Sequence, residues 1–263
     1  MLNESALVVA PVNLISHATV RSAVSRLQDD HAITDADKAF RALLKVAHRY
    51  DVKLRHLSAA LLNANAGVGP VTCTPAPSLS FSLRGCGDVP KRSDVFTVLL
   101  TTAVDLFSAP LGAVQMRDAM RDGLCIESHA GVAALFRHHF SYVEGTGSAA
   151  AYATAHSEVV RVDDVAVSRL YDFSDVEVLA ECGVQAELAV PMCDEDGRSW
   201  GAVTVMFDSR RPRIDPFAVE MLHGHADSCA QWLRWYDHAV MPKLVGAVHE
   251  VAAGQSNRAA VSA

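Results

Sequence analysis

The first 64 residues place apolar side chains at helical spacing, i, i+3, i+4 and i+7, in three consecutive segments. This spacing predicts three helices, each with one buried stripe. Thr34 is the predicted N-cap of the second helix, because it precedes an acidic first turn that contains Asp37. The positions expected to be buried are Val20, Ala23, Val24 and Leu27 in the first helix, Ala36, Ala39, Phe40, Leu43, Ala47 and Tyr50 in the second, and Leu54, Leu57 and Leu61 in the third. The pattern therefore predicts an N-terminal three-helix bundle.

From residue 93 to residue 236 the pattern mixes helical stripes with alternating strands. A stripe over 96–107 stops before Pro110, which cannot continue a helix. One hairpin is predicted to join LGAVQMRD to GLCIESHAG, and a second to join GVQAELAVPMCD to SWGAVTVMFD. Helices are also expected from about Ala133, within SAAAYATAH, over 175–182 and over 215–236, with a strand at 159–162. This order predicts an α+β fold in which helices flank an antiparallel sheet.

A stretch rich in proline, glycine and serine separates the two patterns. Residues 65–92 fit neither helical nor strand periodicity, so they are interpreted as a linker. The chain then divides into a helical domain at 1–64, the linker at 65–92, a sheet domain at 93–236, and a C-terminal helix and tail at 237–263. The tail that follows Pro242 is expected to fray.

Composition excludes some classes of protein. Half of the 263 residues are hydrophobic and 20% are charged, which is typical of a folded, soluble chain. No apolar run approaches the roughly 18 to 20 residues needed to span a bilayer. The N-terminus also lacks the basic segment of a secretory signal, so we expect a cytoplasmic protein with no membrane partner.

Charge is distributed unevenly along the chain. Residues 1–66 contain 8 Lys/Arg and 6 Asp/Glu, whereas residues 93–236 contain 10 Lys/Arg and 21 Asp/Glu. Phosphate backbones attract the first segment and are repelled by the second. If the protein binds nucleic acid, it is therefore expected to do so through its N-terminal helices.

The basic side chains of the second predicted helix fall on one face, roughly opposite its apolar stripe at about 100° per residue. A row of Lys and Arg can lie along phosphates and release counterions. The alternative is a solvated face whose late positive charges complement the C-terminal end of the helix dipole. The residues of this basic face are Lys38, Arg41, Lys45, His48 and Arg49, and Lys53 and Arg55 follow at the start of the third helix.

The run VRSAVSRLQDDHAITDADKAFRALLKVAHRYDVKLRHLSAALLNA resembles an ANTAR domain, the RNA-binding output module of bacterial antitermination regulators. The resemblance implies a small helical bundle that binds paired RNA stem-loops as a homodimer, with the basic face and the start of the third helix as the RNA side. The chain departs from that family at Val24-Ser25, Gln28 and Asp51, where Lys-Gly, Met and Asn are usual. The matching positions are Ala23, Leu27, Thr34, Ala39, Phe40, Leu43, Ala47, Lys53, Leu54, Leu57 and Ala59.

Four motifs of the sheet domain resemble a GAF domain: LGAVQMRD, AGVAALFRHHF, GTGSAAAYATAHSEVVRVDDV and GVQAELAVPMCDEDGRSWGAVTV. Domains of that family bind small ligands, or dimerise, at a pocket between the sheet and the short helices. Ala150 and Ala151 stand where relatives often carry Cys-Gly. By this resemblance, an unidentified small ligand would be held by Tyr142, Ser148, Tyr152, Asp163 and Asp164.

The sequence contains no recognisable catalytic or metal-binding set, and no cofactor is expected. The six cysteines include no CxxC pair, which argues against a zinc site and a disulfide framework. Some GAF-like proteins reduce free methionine sulfoxide through reactive thiols, and Cys125, Cys182 and Cys193 are the candidates for such a reaction. Nothing near them in the sequence favours a thiolate, so we expect the protein not to be an enzyme.

Three functions remain open from the sequence. In the first, the GAF-like domain binds a ligand or sets dimer geometry and thereby controls RNA binding by the N-terminal helices. In the second, the protein is a dimeric interaction protein whose RNA surface has decayed, in line with the departures at Val24, Ser25 and Asp51. The third is a thiol reductase. Because the RNA-binding module precedes the sensor here, whereas the reverse order is usual, coupling is expected to act through a shared dimer.

Overall fold

The structure, a computed structural model, describes residues 11–64, 75–81 and 90–260. Residues 1–10, most of the predicted linker (65–74 and 82–89) and the end of the predicted tail (261–263) lie outside the described residues, as do Cys73 and Cys86. The described chain has the predicted α+β fold, with helices on both faces of an antiparallel sheet. Within this part of the chain, no helix is long and apolar enough to cross a membrane.

Three N-terminal helices form where the apolar spacing predicted them: α1 (Pro11–His31), α2 (Ala36–Tyr50) and α3 (Leu54–Asn63). Asp35 caps α2, because its carboxylate accepts a hydrogen bond from the backbone N–H of Asp37 at 2.9 Å. The prediction of Thr34 as the N-cap is therefore wrong by one residue. Asp35 lies directly before the first helical residue in extended backbone, the conformation that lets a cap side chain reach back to the first turn.

The buried stripe of α2 differs in part from the predicted one. Ala36 and Tyr50 are exposed and Phe40 is partly buried, so the prediction of full burial is wrong at these three positions. The stripe instead runs i, i+3, i+4, i+7, i+8 from Ala39, which keeps it on one side of the helix. Its members are Ala39, Ala42, Leu43, Val46 and Ala47.

Six strands form one antiparallel sheet in the described chain: β1 (Leu111–Arg117), β2 (Gly123–Ala130), β3 (Tyr142–Glu144), β4 (Val160–Val162), β5 (Ala186–Cys193) and β6 (Ser199–Phe207). Their order is β3-β2-β1-β6-β5-β4, so the two predicted hairpins meet at β1 and β6. Gly201 allows that close approach, because a Cβ there would lie 2.1 Å from the carbonyl oxygen of Gln115. The three-residue β3 was not predicted, since it is too short to show alternation.

Helices cover both faces of this sheet: α4 (Arg92–Phe107), α5 (Ala134–His139), α6 (Ala149–His156), α7 (Phe173–Glu181) and α8 (Pro216–Trp235). One apolar core joins α4, α8 and one sheet face to the N-terminal helices, and it includes Leu43, Leu99, Val190 and Trp232. The opposite sheet face packs with α5, α6 and α7 in a second core. The N-terminal helices and the sheet domain therefore share one of the two cores.

Helix α8, the last helix of the sheet domain, does not end at residue 236, where the domain was predicted to end. It continues through a π-helical turn, Tyr236–Val240, into α9 (Met241–Ala260). Pro242 accounts for the widened turn, because proline has no N–H to donate and its ring clashes with the carbonyl four residues earlier. The prediction of a frayed tail after Pro242 is wrong for the described residues, which stay helical to Ala260.

Helix α9 packs against α1, α2 and α3. The three N-terminal helices are thus joined by a fourth, from the other end of the chain, and we call α1, α2, α3 and α9 the helical bundle. The apolar spacing of α9 explains this packing, because its buried side chains recur every three or four residues. They are Met241, Leu244, Val245, Val248 and Ala252.

Residues 75–81, within the predicted linker, pack on α8. The Ser80 hydroxyl oxygen lies 2.7 Å from His225 Nδ1 and 2.8 Å from Ser228 Oγ. Phe81 is buried, with its ring edge-on to His225 at 5.8 Å between centroids. This part of the predicted linker is therefore anchored to the sheet domain.

Candidate ligand cavity and basic face

A small cavity lies between the sheet and the short helices of the second core. Its volume is ≈ 10 Å³, which is room for about one water molecule. Apolar and aromatic side chains form most of its wall, and a few polar groups converge on its centre. The lining residues are Gln115, Phe136, Phe140, Ser148, Ala150, Tyr171, Glu187, Thr204 and Met206.

A buried carboxyl group and a buried phenol meet in this cavity. The Tyr171 hydroxyl donates a short hydrogen bond to Glu187 Oε2 and accepts one from the Ala149 N–H at 3.2 Å. Burial raises the pKa of Glu187 to about 7, although the hydrogen bond from Tyr171 acts in the opposite direction. Burial and then the charge of Glu187 raise the pKa of Tyr171 well above its ordinary value. The cavity therefore holds a titratable group that is largely neutral below pH 7.

Helices α5 and α7 meet beside the cavity. Phe136 and Phe140 of α5 line it with their rings 4.8 Å apart. His139 Nε2 of the same helix lies 2.7 Å from Asp175 Oδ1, and Asp175 forms a capping box with Asp172 at the start of α7. The His139–Asp175 pair therefore ties α5 to α7 beside the cavity.

Ser148 is the one predicted pocket residue that lines the cavity. It is the N-cap of α6, and its hydroxyl accepts a hydrogen bond from the Ala151 N–H at 3.1 Å. Tyr142 pairs with Cys125 across β2 and β3, whereas their neighbours Leu124 and Val143 belong to the second core. Alternation along a strand therefore places Tyr142 on the opposite sheet face, which carries the helical bundle.

The other three predicted pocket residues also lie away from the cavity. Tyr152 stacks on His156 at 4.0 Å between ring centroids. Asp163 forms an ion pair with Arg161 at 2.6 Å, and Asp164 caps the 3-10 turn Val165–Val167 that follows β4. Of the predicted segments, the start of α6 lines the cavity through Ser148 and Ala150, whereas the turn at Asp163 and Asp164 does not reach it.

Four polar lining residues were not identified from the sequence: Gln115, Tyr171, Glu187 and Thr204. Gln115 and Glu187 left a detectable signal, because each is a large polar residue within a strand whose other positions are mostly apolar. A buried polar residue in such a strand needs a partner, and here Glu187 finds one in Tyr171. Tyr171 lies in an irregular segment before α7, where periodicity gives no information.

The predicted basic face of α2 lies on the solvent side of the helical bundle. All five of its members, Lys38, Arg41, Lys45, His48 and Arg49, are exposed. Within the described chain, no salt bridge ties any of them to a carboxylate; Arg41 donates to the backbone oxygen of Asp37, and Arg49 lies over the Tyr50 ring. The face is therefore an exposed row of cations that is available to a polyanion.

Lys53 and Arg55 do not join this row. They contact the sheet domain, where Lys53 Nζ lies 2.7 Å from Glu127 Oε2 and Arg55 forms a short ion pair with Glu127 Oε1. His56 Nε2 lies 3.0 Å from the same oxygen, and the Glu127 side chain is only 2% exposed. We call this group of four residues the Glu127 contact. The seven predicted RNA-binding residues therefore fall into two groups: five lie on the exposed basic face of α2, and Lys53 and Arg55 contact Glu127.

Asp51 ends α2 in left-handed backbone with φ of 52°. Asn and Asp tolerate this conformation better than most residues, which explains why an acid can stand where Asn is usual. Its carboxylate lies 3.4 Å from Lys91 Nζ and accepts a hydrogen bond from the Ser93 hydroxyl at 3.3 Å. The added negative charge is therefore balanced by Lys91.

The four described cysteines are free thiols. Burial raises the pKa of Cys125 to about 11 and that of Cys229 to about 12, and it also raises the pKa of Cys182. Raised pKa values disfavour the thiolate, which is the nucleophilic form. Among the described residues, no group of three or more His, Cys, Asp and Glu side chains is placed to hold a metal ion.

Comparison with known proteins agrees with this architecture. The GAF domain model matches residues 91–233, just over half of the chain, and the chain therefore belongs to the GAF domain family. No curated protein is significantly similar to it.

Similar solved structures include the GAF-B domain of DevS from Mycobacterium smegmatis, with 22% identity and a TM-score of 0.41 over 53% of this chain and 91% of that one. The GAF domain/HD domain protein from Geobacter sulfurreducens has 16% identity and a TM-score of 0.45 over 55% and 93%. The type II free methionine-R-sulfoxide reductase from Thermoplasma acidophilum has 15% identity and a TM-score of 0.40 over 53% and 92%.

Proposed function

We propose that the protein is a non-catalytic signalling regulator in which the GAF domain controls RNA binding by an ANTAR-like helical bundle. The observation that carries this proposal is the basic face of α2, an exposed row of cations with no carboxylate partner in the described chain. From Lys38 to Arg49 the row extends about 16 Å along the helix. Such a row fits the spaced charges of a phosphate backbone.

The path of the chain supports coupling between the two modules. The GAF domain lies between the N-terminal helices and α9 in sequence, yet both ends of the chain meet in one bundle. A change in the GAF domain can reach the bundle through α8 and α9, which form one helix interrupted by a π turn. Coupling therefore does not depend on the linker, and it needs two arrangements of the domains with different affinities for RNA.

The sheet cavity is the proposed sensing site. Its volume admits about one water, so ligand binding would require α5 and α7 to separate at the His139–Asp175 pair. The polar groups at its centre, Glu187, Tyr171 and Thr204, suit a small ligand that offers hydrogen-bond donors to Glu187. We propose a homodimer, following the family that the bundle resembles.

A second candidate is a dimeric interaction protein that no longer binds RNA. The Glu127 contact favours it, because Lys53 and Arg55 are occupied by the GAF domain. A thiol reductase is less well supported, because burial holds Cys125 and Cys182 in the thiol form.

RNA binding by the full-length chain separates the first two functions. Replacing Lys38, Arg41 and Lys45 by Gln should weaken binding to a labelled RNA with two hexaloop stem-loops at least about tenfold at about 50 mM salt. Each lost phosphate contact on single-stranded RNA lowers the log–log salt slope by about 0.7, so the slope should fall by about 2. Fluorescence anisotropy over a salt series measures both quantities.

The matched control replaces three exposed arginines of the GAF domain, Arg121, Arg137 and Arg169, by Gln. This variant has the same net charge as the first, and it should bind RNA within about twofold of the unmodified chain. Equal loss of affinity in the two variants, or no RNA binding by the folded unmodified chain, would show that the basic face is not an RNA site.

A further inference from the structure

We propose that the Glu127 contact is an autoinhibitory lock, in which a carboxylate of the GAF sheet sequesters the cationic start of α3 away from RNA. This inference rests on the proposed RNA-binding function and names how the same surface is regulated. In this proposal, Lys53 and Arg55 bind RNA only after the Glu127 contact has opened.

Glu127 occupies a β-bulge. The register between β1 and β2 shifts between Val114 and Gln115, which pair with Ser128 and Ile126 respectively. Glu127 is therefore the extra residue between those pairs and has no partner on β1. A bulge turns the side chain of its extra residue and leaves that residue's carbonyl oxygen outside the β1–β2 hydrogen bonds. Both the carboxylate and the carbonyl oxygen of Glu127 make contacts here. Lys53 Nζ donates to the Glu127 backbone oxygen at 3.0 Å as well as contacting its carboxylate.

The contact brings several positive groups to one carboxylate. Arg55 stays protonated, whereas burial, followed by Arg55 and Arg92, lowers the pKa of Lys53 to about 7. Burial, followed by Arg92, Arg55 and Lys53, lowers the pKa of His56 well below its ordinary value, so His56 is neutral. Asp118 lies near Arg55 and Cys125, and it is the second acidic group that acts on this cluster.

The contact depends on Glu127, because its carboxylate is the group that Lys53, Arg55 and His56 all contact. Its side chain is 2% exposed, and that of Arg55 is 15% exposed. Removing one partner of a buried ion pair leaves the other charge without compensation. Without the Glu127 charge, the cations at the start of α3 repel one another and Arg92, and the contact opens.

The location of the lock matches a regulatory role. Glu127 belongs to the GAF sheet, whereas Lys53 and Arg55 belong to the segment that, by resemblance, faces RNA. While the contact is closed, Lys53 and Arg55 direct donors at Glu127 and its carboxylate offsets their positive charge, so a phosphate gains less from them. RNA and the GAF sheet therefore compete for the same cations, and any change that moves β2 relative to α3 alters RNA affinity.

The test is Glu127→Gln in the full-length chain, with Glu144→Gln as the matched control. Both positions lie in the sheet and lose one charge, but Glu144 is exposed. With no RNA present, Glu127→Gln should move the pH midpoint of Lys53 acetylation up by at least about one unit, towards that of Lys38, because the released amine leaves the buried site that lowers its pKa to about 7. With RNA, it should bind about fivefold more tightly, and the salt slope should steepen by about 1.5 for two added contacts.

Adding Lys53→Gln and Arg55→Gln to Glu127→Gln should remove this gain. An unchanged pH midpoint for Lys53 acetylation overturns the lock whatever happens to RNA. A raised midpoint without tighter RNA binding, in a chain that does bind RNA, overturns its regulatory role alone. If neither chain binds RNA, the proposed function fails, and the regulation of RNA binding fails with it.

A second variant keeps the test valid if Glu127→Gln does not fold. The pair Lys53→Gln and Arg55→Gln, with Glu127 kept, removes cations that are already engaged. It leaves Glu127 without these two partners, so its folding is checked first by circular dichroism. In the folded variant, RNA affinity should stay within about twofold of that of the unmodified chain. A tenfold loss of affinity in this folded variant would contradict the sequestration of these side chains.

Discussion

Replacing Val248 by Asp will unfold the helical bundle, with a loss of stability on the order of 4 kcal/mol. Val248 is fully buried in α9 and belongs to the core that the bundle shares with α4, α8 and the sheet. An aspartate there buries a charge with no partner. Urea unfolding followed by circular dichroism measures the loss, and limited proteolysis shows whether α1, α2 and α3 are the segments that open.

Lys243→Asp is the matched control for this change. Lys243 lies on the exposed side of the same helix, so an aspartate there remains in water. It should change stability by less than about 1 kcal/mol and leave the protease pattern unchanged. If Val248→Asp left the N-terminal helices as protected as in the unmodified chain, α9 would not be part of their bundle.

Replacing Glu187 by Gln will change the pH dependence of stability by about 3 kcal/mol between pH 4.5 and pH 8. The pKa of Glu187 is raised from 4.5 to about 7 in the folded chain, because the carboxyl group is buried. Between these two values the folded state binds more protons than the unfolded state. The stability that Glu187 contributes is therefore fully present below pH 4.5 and is lost as the pH rises through 7. A glutamine at this position does not titrate, so the variant carries no such dependence.

Chemical denaturation at several pH values tests this prediction. The unfolding free energy of the variant minus that of the unmodified chain should become more positive as the pH rises. Glu144→Gln, at an exposed site, should show a difference that hardly varies with pH. A flat difference for Glu187→Gln, or one that moves against the variant at high pH, would mean that Glu187 is already ionised in the cavity.

Much of the fold could be predicted from the sequence because its strongest signals are local. The two hairpins are long alternating runs with short polar turns, and both form as predicted. The three N-terminal helices follow from apolar spacing alone. Strand β3 and the N-cap Asp35 were missed, because each depends on one to three residues, where periodicity has no weight.

The role of α9 could not be predicted for a different reason. Its apolar spacing was available, but the partner that it covers lies about 200 residues earlier in the chain. Pro242 also suggested an end to the helix, and the π turn that accommodates this proline leaves no mark in the sequence. Long-range packing of this kind is decided by shape and is not encoded in local pattern.

The candidate sites could likewise be predicted only where the signal in the sequence was local. The exposed basic face of α2 was predictable, because its position follows from helical geometry relative to the buried stripe. The separation of Lys53 and Arg55 from that face was not, since it depends on a single buried carboxylate in a bulge about 70 residues away. Of the residues that the resemblance assigned to the ligand pocket, Ser148 lines the cavity, whereas Tyr142 lies on the other sheet face.

The arrangement also changes how the order of the modules is understood. The order of the two modules led to the expectation that coupling acts through a shared dimer. In the structure, α9 returns to the N-terminal helices and completes their bundle. The N-terminal helices and the GAF domain are thus also joined within one chain, through α8 and α9.

The central claim, that RNA lies along the basic face of α2, is tested most directly by lysine footprinting of the full-length chain. The chain has five lysines, Lys38, Lys45, Lys53, Lys91 and Lys243, and the first two lie on that face. Acetylation is followed by mass spectrometry with and without the two-stem-loop RNA. The account predicts that RNA slows modification of Lys38 and Lys45 at least about fivefold, with Lys91 and Lys243 unchanged. Equal protection of Lys91 and Lys243, or no protection of Lys38 and Lys45 when RNA is bound, would contradict it.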